Sequence, residues 1–184
     1  MAGLTLVSIG CGSSDVCNCT PSVSASRDYR HQEKHVPLPA LNAQEIDVNT
    51  ILSWKQDPNL PTTQPRTGRE LQLFHIATAY LQSARLMKND CDIHLEISES
   101  ASKNSPRVIV ETPVDAEYCP ARRTIQSELA QHNFKLSTSP ASELPAPLKV
   151  DVLGIAFEDF EHQRGSAQVG TVWELHPAVV SVTE

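Results

Sequence analysis

An all-β domain with one helix is the fold class this sequence predicts, and three observations predict it. From Arg69 onward the apolar segments run in the order of three strand-like runs, one helix-like run and two more strand-like runs. The clearest strand, Cys91 to Ser98, alternates strictly, with Ile93, Leu95 and Ile97 on one face and Asp92, His94 and Glu96 on the other. The single helical pattern, 121–132, follows Pro120 and repeats Ile125 and Leu129 at helical spacing. The order β-β-β-α-β-β is the connectivity of a five-stranded OB-fold-like barrel. Such barrels take ligands on the face of strands 2 and 3 and on the loops 1–2 and 4–5. A fold does not imply a function, so activity must be argued from a site.

The first strand is expected over Glu70 to Met87, long and partly alternating, with Leu71, Leu73, Ile76, Ala79 and Leu81 apolar. Lys88-Asn89-Asp90 has turn chemistry. After Cys91–Ser98, a polar loop leads to Arg107–Thr112, β-branched and apolar, which Pro113 ends. A plain hairpin register pairs Ser98 with Arg107 and so sets His94 opposite Glu111. The stretch 137–147 reads as a Pro/Ser/Ala loop. The fourth strand follows over Lys149 to Phe160, with Gly154 marking a bulge, and the fifth over Val172 to Val182. Alternation with barrel closure predicts a core of Ile93, Leu95, Ile97, Val108, Val110, Ile155, Phe157 and Leu175.

Ahead of the barrel the sequence changes character. Residues 12–41 are rich in Ser, Asp, Asn and Pro and read as a poorly ordered tether, so that 1–41 stands apart from a single domain over 42–184. His31 and His35 have an i, i+4 zinc-like spacing, but Val36-Pro37-Leu38-Pro39 stops a helix at once, which favours solvated histidines. Asn42 and Glu45 match a capping box and predict a short helix ending near Trp54.

The net charge of −7 argues against a protein that holds nucleic acid by charge. No apolar run is long enough to span a membrane as a helix. Leu4 to Cys11, followed by Gly12-Ser13-Ser14-Asp15, resembles the end of a bacterial lipoprotein signal, in which Cys11 is lipidated. It implies export to the periplasm or cell envelope and a membrane anchor; an unprocessed N-terminus and a cytoplasmic protein is the alternative. Without Cys11, four of the five cysteines remain, an even number that suits an oxidising compartment. Cys91 and Cys119 flank the second and third strands and are the expected disulfide.

The residues that carry chemistry are histidines and acids on neighbouring strands. Asp92 and His94 come from the second strand, Glu111 from the third, and Glu174 and His176 from the fifth, with His162 in the loop before it. Imidazole and carboxylate together suit a divalent metal. A metal-free polar pocket and a plain solvated barrel surface are the other readings.

Two resemblances enter on these residues. Asn89-Asp90-Cys91-Asp92 with Arg107-Val-Ile-Val-Glu111-Thr112-Pro113 resembles the start of a thermonuclease-like domain. That resemblance implies calcium-binding acids at Asp92 and Glu111 and a phosphate-binding arginine at Arg107. This chain has Cys91 where those domains have glycine, and Val114 where they have an acid. Asp92-Ile-His94-Leu, Val110-Glu111-Thr-Pro113, Gly154-Ile-Ala-Phe157-Glu-Asp-Phe160-Glu-His162 and Glu174-Leu-His176-Pro177 are similar to the recurring motifs of an uncharacterised family of exported bacterial OB-like proteins. That similarity marks His94, His162, Glu174 and His176.

The sequence therefore supports an exported, lipid-anchored OB-fold-like binding module for an unknown ligand, with no complete catalytic motif. The alternative is a metal-dependent hydrolase of the thermonuclease type, in which Arg107 or Arg164 holds an anion.

Overall fold

The computed structural model describes residues 15–27, 29–57, 59–140, 142–160 and 165–183. Its six strands are β1 (Gln44–Glu45), β2 (Leu73–Leu86), β3 (Ile93–Ser98), β4 (Arg107–Thr112), β5 (Glu143–Glu158) and β6 (Val169–Val182). Its helices are α1 (His31–Lys34), α2 (Val48–Leu52) and α3 (Cys119–Gln131). The strands run in the order β1-β2-β3-β4-β6-β5, and β2 also pairs with β5. That pairing closes β2 to β6 into a five-stranded mixed barrel consistent with an OB-like fold, with β1 outside it. The β4–β6 pair is parallel, while β2–β3, β3–β4, β5–β6 and the closing β2–β5 are antiparallel. The expected hairpin register holds: Ser98 pairs with Arg107 and His94 with Glu111.

The barrel interior is filled by Ile93, Leu95 and Ile97 from β3, Val108 and Val110 from β4, Val150, Val152 and Ala156 from β5, and Leu175 from β6. Ile125 and Leu129 of α3 belong to the same cluster. Two expected core residues face the other way. Ile155 and Phe157 are buried but lie outside this cluster, because β5 continues its alternation through Gly154 to Ala156. Gly154 is required there: a Cβ would stand 2.6 Å from that of Ala178 on β6.

Other expectations also need correction. β5 begins at Glu143 and not at 149, despite Pro145 and Pro147. This first part of β5 pairs only with β2, its register with β6 starting at Val150, so the prolines sit on a free strand edge and break no central ladder. The capping box expected at Asn42 does not open a helix. Gln44 and Glu45 pair with β2, and α2 is capped by Asp47, whose carboxylate accepts from the Thr50 N–H at 2.7 Å.

The segment read as a tether is packed over residues 15–41, with Val16, Ala25 and Arg30 buried. Its attachment corrects the expected disulfide. Cys119 bonds Cys17 and Cys91 bonds Cys19, with Cα separations of 5.4 and 5.8 Å, so Cys91 and Cys119 do not bond each other. The two bridges fix residues 17 and 19 to the start of α3 and to the turn before β3. Cys91 has a left-handed backbone (φ 68°) at the position where thermonuclease-like domains carry glycine. Further along, Arg30, Lys34 and His35 pack against Glu158, Glu174 and His176, and Ser166 covers Glu96; both faces of β3 are buried.

Candidate functional site

On the outer face of the barrel, period-2 alternation sends His94 and Glu96 of β3, and Asp92 just before it, opposite the core side chains of the same strand. The parallel β4–β6 pairing sets Ile109 beside Glu174 and brings His176 next to Glu111. The result is an alternating chain of acids and imidazoles. The Glu111 carboxylate bridges two histidines, with Oε1 2.7 Å from His94 Nδ1 and Oε2 3.0 Å from His176 Nδ1. Beyond His176, Nε2 lies 3.2 Å from Asp92 Oδ2. Beyond His94, Nε2 lies 3.7 Å from Glu96 Oε1. Glu96 accepts from Arg107 Nη1 at 3.0 Å and from the Ser166 hydroxyl at 2.5 Å. Glu174 Oε1 is 3.4 Å from His176 Nδ1.

Burial makes this chain electrostatically strong. Desolvation alone would push Glu111 up, yet the His176 and His94 imidazoles beside it hold it well below the usual carboxylate range. Desolvation would pull His176 down, but Asp92, Glu111 and Glu174 outweigh it and raise its proton affinity well above that of a free histidine. The same balance, struck by Glu111 and Glu96, raises His94. Against its own desolvation, Glu96 is brought down to about 2 by His94, Ser166 and Arg107. Asp90 is pushed up to about 6 by burial and by the charges of Asp92 and Glu111.

The packed N-terminal segment closes over this floor. Lys34 Nζ reaches 3.1 Å from Asp159 Oδ2 and 3.6 Å from Glu174 Oε1. His35 bonds Asp115 through Nδ1 at 2.7 Å and brings its ring centroid to 6.2 Å from that of His176. Arg66 donates to the backbone carbonyl of His176. Between this cover and the sheet is a cleft of about 1120 Å³. Tyr29, Phe160 and Lys34 line its outer side, and His94, Glu111 and Glu174 line its floor.

No family model, curated protein or solved structure matches this chain.

Five expected site residues, Asp92, His94, Glu111, Glu174 and His176, thus converge on one network. Arg107 is elsewhere in function: its guanidinium is buried against Glu96 and Glu143 rather than turned to the cleft. His162, Arg164 and Cys11 lie outside the described residues. Sequence reasoning missed Lys34, His35, Asp90 and Asp159 as members of the site. Two come from the segment read as a tether. The signal that could have found them is Cys17 and Cys19, since cysteines inside that segment need partners in the domain.

Proposed function

We propose that the protein is an exported binding module that holds a small polar ligand in the cleft between its N-terminal segment and the outer face of β3, β4 and β6. The observation that carries this reading is the cleft floor. His94 is fixed through Nδ1 by Glu111, and its buried Nε2 has no hydrogen-bond partner among the described residues. A buried polar atom without a partner costs free energy unless a ligand or water satisfies it. Tyr29 and Phe160, with ring centroids 4.9 Å apart, supply an aromatic wall at the same cleft.

Export is supported by the two disulfides, which persist in oxidising compartments. No helix among the described residues is long and apolar enough to cross a membrane. A lipid on Cys11 would supply the membrane anchor.

The alternative, a metal-dependent phosphodiesterase, is less well supported. Of the two arginines offered for the phosphate, Arg107 is held by Glu96 and Glu143, and Arg164 lies outside the described residues.

Non-denaturing mass spectrometry of protein isolated from its own cell envelope tests the reading. A small-molecule adduct present on wild type and lost on His94→Ala is expected. Bare wild-type protein, or an adduct kept by His94→Ala, refutes it. Turnover of bis(p-nitrophenyl) phosphate by the wild type would favour the hydrolase instead.

A further inference from the structure

Beneath the cleft floor, two buried atoms face each other as an ion pair that does not reach hydrogen-bond geometry. His176 Nε2 and Asp92 Oδ2 have no hydrogen bond among the described residues, although they are 3.2 Å apart and their side chains are each 1% exposed. Two atoms ligating one ion at about 2.1 Å stand roughly 3.0 Å apart at a right angle and about 3.4 Å apart at the tetrahedral angle. The observed separation falls between these. One carboxylate oxygen of Glu111 completes a group of three ligand atoms, all within 4.8 Å of one another.

We propose that Asp92 Oδ2, His176 Nε2 and one Glu111 oxygen bind a divalent first-row transition-metal ion.

Each ligand already has the outer partner that such a site needs. The Val114 N–H donates to Asp92 Oδ1 at 2.9 Å, which fixes that carboxylate and leaves Oδ2 for the ion. His94 holds Glu111 Oε1. Glu174, 3.4 Å from His176 Nδ1, takes over that nitrogen when Glu111 turns to the ion. One imidazole with two carboxylates suits zinc, manganese or iron(II) better than calcium or magnesium, which prefer oxygen throughout. The ion replaces the proton on His176 Nε2, so binding releases that proton and weakens as the pH falls.

Glu111 belongs both to the cleft floor and to this site, whereas Asp92 and His176 lie under the cleft and not in its wall. Asp92→Asn and His176→Gln therefore read metal binding, and His94→Ala reads ligand binding in the cleft.

The test is calorimetric titration of chelator-treated wild type with ZnCl2. One saturable site is expected, with affinity lowered at least about tenfold in Asp92→Asn and in His176→Gln. His31 and His35, with ring centroids 4.1 Å apart, form the competing zinc site, so His31→Ala, which breaks that pair without touching the buried network, should keep the binding. Should the buried variants misfold, ¹⁵N NMR of labelled wild type reads the site directly. Zn²⁺ should move the His176 Nε2 resonance and leave those of His31 and His75 in place. Absence of saturable binding, loss of binding in His31→Ala, or a shift confined to other histidines would overturn the proposal.

Discussion

Arg122 is fully buried, and its guanidinium donates only to backbone carbonyls: Thr112 at 2.7 Å, Cys91 at 2.7 Å and Val16 at 2.8 Å. One side chain thereby joins α3, the end of β4, the turn before β3 and the N-terminal segment. Desolvation pulls its pKa down, and the charges of Asp92, Asp115 and Asp90 oppose that fall. Arg122→Ala leaves three buried carbonyls unpaired and should cost about 3 kcal/mol or more, at about 1–3 kcal/mol for each unsatisfied group; an urea-unfolding midpoint unchanged from wild type would refute this role. Leu95 makes the contrasting case of a side chain that stabilises by volume alone. It has no exposed surface in the barrel interior, and Leu95→Ala should cost about 2–5 kcal/mol through the cavity left behind, read from the same unfolding curves.

At the scale of elements, the decisive link is between the N-terminal segment and the barrel. The Cys17–Cys119 and Cys19–Cys91 bridges span 102 and 72 residues of sequence, so either one restricts the unfolded chain strongly. Removing either should cost about 2–4 kcal/mol. Cys119→Ser should expose the thiol of Cys17, and Cys91→Ser that of Cys19, as read by thiol labelling and mass spectrometry. A labelled Cys91 in the Cys119→Ser variant would show the opposite pairing. Between β5 and β6 the close approach at Gly154 sets a second limit. Gly154→Ala drives a methyl group against Ala178 and Leu175, and overpacking of this kind costs about 1–3 kcal/mol, measured as a lowered unfolding midpoint.

The molecule as a whole buries a set of acids and histidines on a covered face of the barrel. Buried ion pairs are weak contributors to stability when judged against apolar packing, because desolvation offsets their attraction. Their pH dependence is nevertheless definite. His176, with its raised proton affinity, contributes stability that is complete below the free-histidine value of about 6.5 and is lost as the pH rises through its folded value. Asp90, pushed up to about 6, loses its smaller contribution earlier, as the pH rises from about 4 through about 6. Glu111 and Glu96 act in the opposite sense. Both are held low, so their contribution is present above about pH 4.3 and is lost as the pH falls, for Glu96 toward about 2. Thermal unfolding midpoints should therefore peak between about pH 4 and about pH 6.5 and decline on both sides, with the alkaline decline reduced in His176→Gln. A midpoint that rises steadily from pH 6.5 to about pH 9 would contradict the assignment.

Periodicity by itself determined the barrel strands, the hairpin register of β3 with β4, and the position of α3, because alternation and helical spacing are local properties of the chain. It also identified Asp92, His94, Glu111, Glu174 and His176, since strand order and register are enough to bring those positions onto neighbouring strands. Only the tertiary structure decided what covers them. The outer face of a barrel is ordinarily solvated, and apart from Cys17 and Cys19 nothing in the local pattern of residues 15–41 distinguishes a loose tether from a strap pinned by two disulfides. Cysteine partners are settled by distance in the folded chain, which is why Cys91 and Cys119 pair with Cys19 and Cys17 and not with each other. The inward or outward sense of Ile155 and Phe157 likewise depends on packing against β6, where Gly154 meets Ala178 and, as the bulge expected at Gly154 implies, the register shifts before Ala156 meets Leu175.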